Sequence, residues 1–118
     1  MLGLKEALAD LEGMLNSPDG VDKSGDDLAK FVIQRRAKTI GKIAEVVKLG
    51  ASDPHLAAAP ALKREFDEKL QSIRRAAAGI QAKYRASDIA TDLTAYGPQS
   101  RATAQSLVDF CRWARARL

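Results

Sequence analysis

A single imidazole, His55, and a single thiol, Cys111, are the first places to look for chemistry in this chain of 118 residues. A cysteine nucleophile needs a base to take its proton, and only His55 could serve. His55 stands between Pro54 and Leu56, in a stretch punctuated by Ser52-Asp53-Pro54 and Pro60, which reads as a loop. A histidine phosphotransfer bundle would instead display its histidine midway along a helix face. A metal site would require further ligands at helical or hairpin spacing, and none stands near His55. Cys111 falls on the apolar face of the last expected helix, and free cysteine is among the most buried residue types, so packing is its expected role. Asp88 and Asp92 are four apart and would share a helix face, where two carboxylates could hold a cation or share a proton. A dinuclear carboxylate bundle needs Glu-x-x-His twice, and the sequence has neither copy; both acids therefore read as solvated. Glycine-rich phosphate loops are missing as well. No catalytic residue, metal ligand or cofactor site is expected.

The arginines carry more information. Arg35-Arg36, Arg74-Arg75 and the trio Arg112, Arg115 and Arg117 form three clusters on three expected helices. Neighbours in sequence point about 100° apart on a helix, so each pair straddles an edge of an apolar stripe. Three readings compete. The side chains can snorkel along the core edge. They can contact an acidic protein or a nucleic acid. They can line a site for a small dianion, as bidentate recognition of carboxylates allows. Arg35, Arg36, Arg74, Arg75, Arg112 and Arg115 are accordingly the candidate contacts for a partner or an anion.

The elements that must position these residues are all helices. Leu2, Leu4, Leu8, Leu11 and Leu15 make one apolar stripe, placing a helix at 2–16 that Asn16-Ser17-Pro18-Asp19-Gly20 ends. The polar stretch 16–25 reads as a flexible linker. Leu28, Phe31, Val32, Ile40, Ile43, Val46, Val47 and Leu49 follow a helical period over 27–49, and Gly50 is placed to end that helix in a left-handed conformation. Asp53-Pro54 is an N-cap and first-turn pair, predicting a short helical turn over 54–59. From Pro60, the residues Leu62, Phe66, Leu70, Ile73, Ala77, Ile80 and Tyr84 step by three and four in a near-heptad seam. Leu70, Ile73, Ala77 and Ile80 are expected to be buried. Ser87-Asp88 can cap a further segment or mark a bend, Gly97-Pro98 is expected to stop it, and Ser100 to cap a last helix over 101–117.

Alternating strand patterns are absent, so the class is all-α: a small up-and-down bundle of three long helices plus a short N-terminal helix, one domain over 1–118 with its body at 26–118. Charge divides unevenly. Residues 1–29 hold two basic and seven acidic side chains, a net of −5; residues 30–118 hold seventeen basic and eight acidic, a net of +9, together the +4 of the chain. The N-terminal helix is therefore expected to dock by its leucines, setting Glu6, Asp10 and Glu12 against basic residues of the body. One cysteine admits no internal disulfide, and neither a secretory signal nor a membrane span is evident, which points to a soluble, cytoplasmic protein. The function expected is non-enzymatic and works by binding another protein, as adaptor, regulator or chaperone, with a homodimer as the expected assembly. The competing expectations are anion or nucleic-acid binding by the basic body, and a helical enzyme with an arginine-lined site for a dianionic metabolite.

Overall fold

The computed structural model describes residues 3–16, 25–83 and 93–118. The residues described form five helices and no strand: α1 (Leu4–Leu15), α2 (Gly25–Ser52), α3 (Pro54–Ala57), α4 (Pro60–Lys83) and α5 (Leu93–Arg117). The all-α class and the three long helices with a short N-terminal one are as expected. Most of the linker over 16–25, and the cap or bend at Ser87–Asp88, lie outside the described residues.

α1 occupies the middle of the fold, packed against both α2 and α5, and α4 lies along α5. Its leucines, stepping by four and three, fall on one face of a 3.6-residue helix. Leu8 and Leu11 are completely buried, and Leu4 and Ala7 nearly so. They join Ile43 and Val46 of α2, Phe66 and Leu70 of α4, and Leu107, Phe110, Cys111 and Ala114 of α5 in a single core. Full burial of a leucine contributes ~1.5–3 kcal/mol, so α1 is a structural element of the core. α3 turns the chain from α2 into α4. The Asp53 carboxylate accepts the Leu56 N–H at 2.9 Å, Pro54 occupies the first turn where its missing donor costs nothing, and Leu56 is buried.

Three boundaries and one seam differ from the sequence reading. Gly50 does not end α2, which runs on to Ser52; Gly50 is a buried helical residue because the ring of Phe66 lies against it. A Cβ at that position would stand 2.8 Å from Phe66 Cε1, so the glycine is there for close approach of α4. Gly97-Pro98 does not stop α5, and Ser100 lies inside it. Pro98 leaves the carbonyl four residues earlier without its helical donor, but Pro98 is exposed, so water can replace the lost partner. The short turn ends at Ala57, two residues early. Along α4, Phe66 and Leu70 are buried, whereas Ile73, Ala77 and Ile80 are only half-buried. Among the described residues the principal neighbour of α4 is α5, and a two-helix contact encloses less of a stripe than three helices would.

Candidate functional site

The structure sets three of the six candidate arginines apart from the others by their contacts with α1. Arg35 Nη2 donates to the Leu15 carbonyl at 3.0 Å, placing a cation on the last carbonyl at the negative end of α1. Its guanidinium also lies 6.0 Å from the centre of the Phe31 ring. Arg112 Nε and Arg115 Nη1 donate to the two oxygens of one carboxylate, Glu12, at 3.2 and 3.1 Å. Lys42 pairs with Asp10. Asp10 and Glu12 thus meet basic residues of the body, as the charge division suggested, while the Glu6 carboxylate lies over Gly3 at the start of α1. Arg74 and Arg75 remain exposed on α4, and Arg36 is half-buried on α2. The six arginines do not converge on one cavity; three of them hold α1 in place.

The aromatic residues follow the same structural logic. Phe110 packs between Phe66 at 5.1 Å and Trp113 at 6.1 Å. Trp113 carries two cations on its ring, Lys69 Nζ at 5.0 Å and the Arg117 guanidinium at 4.8 Å. Arg117 also donates to the Trp113 carbonyl at 3.0 Å, capping the last turn of α5.

Nucleophilic chemistry finds no support in the geometry. Cys111 is fully buried beneath α1, and its thiol is pushed up to about 12 by burial first and then by the Glu12 carboxylate, partly offset by Arg115. His55 is exposed on the four-residue α3. Asp88 and Asp92 lie outside the described residues, among which no group of three metal-ligating side chains comes together. The groove between α4 and α5, lined by Ser72, Ile73, Ala76, Ala102, Thr103 and Ser106, is open and has no titratable side chain in its wall.

A different surface stands out. Ile33 is 49% exposed and Ile40 is 52% exposed, an unusual state for isoleucine on a helix whose neighbouring turns are packed. With Ala37, Ala44, Val47 and Ala51 they step by four, three, four, three and four along α2, which draws a straight apolar strip whose Val47 is half-buried against the core. The inward residues Val32, Ile43 and Val46 lie roughly 90° away around the helix. α2 therefore has two apolar faces, one in the core and one facing solvent. Reading its apolar positions as one stripe merged Ile40 with the core and passed over Ile33; the signal that separates them is the second, offset three-four series.

No family model, no curated protein and no solved structure matches this chain. Among the described residues, no helix is long and apolar enough to cross a membrane.

Proposed function

We propose that this chain is a non-enzymatic docking module that binds another protein through the outer face of α2. The observation that carries the reading is the pair of half-exposed isoleucines, Ile33 and Ile40, one heptad apart on a strip otherwise made of alanine and valine. Single exposed apolar residues are ordinary; a heptad-spaced row on the outside of a helix is the pattern that a second helix covers. Small residues at Ala37 and Ala44 let a partner backbone come close. Supporting this from the other side, the thiol is sealed in the core and three of the six candidate arginines, Arg35, Arg112 and Arg115, are engaged with α1.

A second reading, binding of nucleic acid or another polyanion by the basic body, rests on Arg74 and Arg75, which are exposed side by side on α4. The two readings use different faces. A photoreactive residue introduced at position 33, 40 or 75 and irradiated in living cells distinguishes them. Discrete protein adducts are expected from 33 and 40 and none from 75. Nuclease-sensitive adducts from 75 alone would transfer the function to the arginine face and end the docking reading.

A further inference from the structure

The charges that border the strip on α2 name the chemistry of its occupant. Lys30 and Lys48 are separated by about five helical turns and so stand on the same edge of the strip, next to Ile33 and Ala44 respectively. Both are exposed, and neither forms an ion pair with a carboxylate among the described residues. Of the acids of this helix, Asp27 and Glu45 lie about 60° farther round, beyond the lysines, and Asp26 stands in the first turn, one heptad ahead of Ile33 where the strip begins. An apolar helix seam with a basic border calls for a helix whose own seam is bordered by acids, since edge charges select partner and register.

The molecule already contains one such pairing. α1 is an acidic helix with a leucine stripe, and it seats that stripe on α2 and α5 while Asp10 reaches Lys42 and Glu12 reaches Arg112 and Arg115. We infer that the outer face of α2 takes an acidic amphipathic helix from a protein partner, apolar residues at heptad spacing against Ile33, Ala37, Ile40 and Ala44, and Asp or Glu against Lys30 and Lys48. This rests on reading the α2 strip as a docking face and adds the class of partner. A second copy of the chain fits the same face less well. Parallel pairing turns the lysine edge of each copy toward the opposite edge of the other, which carries Arg36 and no acid, and antiparallel pairing about Ile40 brings Lys48 of one copy beside Lys30 of the other. Like charges meet in both arrangements.

The test uses the full chain and two labelled helical peptides with identical leucine and alanine seams, one bordered by glutamate and the other by lysine. Fluorescence anisotropy reads binding, and sedimentation of the chain alone reads self-association. The glutamate peptide is expected to bind about tenfold or more tightly than the lysine peptide, with that preference falling as salt rises. The double variant Lys30→Glu/Lys48→Glu should reverse the preference, and Ile40→Ser should abolish binding while leaving the unfolding midpoint in place. Equal binding of both peptides, still lost in Ile40→Ser, overturns the acidic partner and keeps the docking face. A dimer of the chain that Ile40→Ser splits, with neither peptide bound, makes a second copy the occupant. No binding and no response to Ile40→Ser removes both the inference and the docking reading beneath it.

Discussion

The ring of Phe66 on α4 rests on the backbone of Gly50 on α2, close enough that a single added methyl at Gly50 would stand 2.8 Å from Cε1. Phe66 is itself almost completely buried, so its ring cannot swing away into solvent. Gly50→Ala gains about 1 kcal/mol of helix propensity and meets an overpacking cost of ~1–3 kcal/mol, for a net loss of up to about 2 kcal/mol. Gly41, on the same helix, is exposed and has open space where a Cβ would go. Gly41→Ala should therefore stabilise by ~0.5–1 kcal/mol. Urea unfolding of the two variants is expected to move the midpoint in opposite directions, and a shift of the same sign would show that α4 does not press on α2 as described.

Glu12 bridges two arginines of α5 with its side chain only 16% exposed. Glu12→Gln keeps the shape and removes the charge, leaving Arg112 and Arg115 without their anion and Arg115 Nε, already without an acceptor among the described residues, in the same buried position. The arginines are partly solvated, so the loss is set at about 1 kcal/mol, well below that for a buried pair. Asp10→Asn, at a more exposed bridge to Lys42, should cost under about 0.5 kcal/mol. Denaturation at low and high salt checks both, and the difference between Glu12→Gln and the native chain should shrink as salt rises.

Leu8 has no exposed surface and belongs to a core to which all five helices contribute. Leu8→Ala should cost ~2–5 kcal/mol, a large share of the ~5–15 kcal/mol that holds a domain together. Deleting residues 1–22 removes Leu4, Ala7, Leu8 and Leu11 together, and the remaining chain is expected to lose its cooperative unfolding transition. A truncated protein that still melts sharply at the native midpoint would make α1 a dispensable tail.

Cys111 couples stability to alkaline pH. Its thiol ionises near 9.0 in an unfolded chain and is held up to about 12 in the fold. Below pH ~9 both states keep the proton and the thiol has no effect on the balance; above it the unfolded state alone ionises, so stability falls with rising pH until the folded value is reached. At about pH 10 this amounts to roughly 1 kcal/mol. The fall in midpoint between about pH 8 and pH 10 should be smaller in Cys111→Ala than in the native chain. Thiol reagents should label the native protein only as fast as it opens.

Much of the fold was legible along the chain because the relevant physics is local. The leucine steps of α1, the Asp53-Pro54 start of α3, the Pro60 start of α4 and the absence of strand patterns depend on side-chain period and on caps that act within a turn. The attraction between an acidic N-terminal segment and a basic body was legible too, since net charge needs no coordinates. The rest depends on which helix lies against which. Gly50 could be read as a helix end until the Phe66 ring was seen beside it, and Pro98 as a stop until α5 was found to run through it on an exposed face. The arginines looked alike in sequence; only packing separated Arg35, Arg112 and Arg115, which hold α1, from Arg74 and Arg75, which face water. Ile33, Ile40, Ile43 and Val46 are equally apolar, and a helix presents all of them at once. Which face is core and which is left for a partner was decided by the one side of α2 that α1 covers, because burial is a property of neighbours and not of residue type.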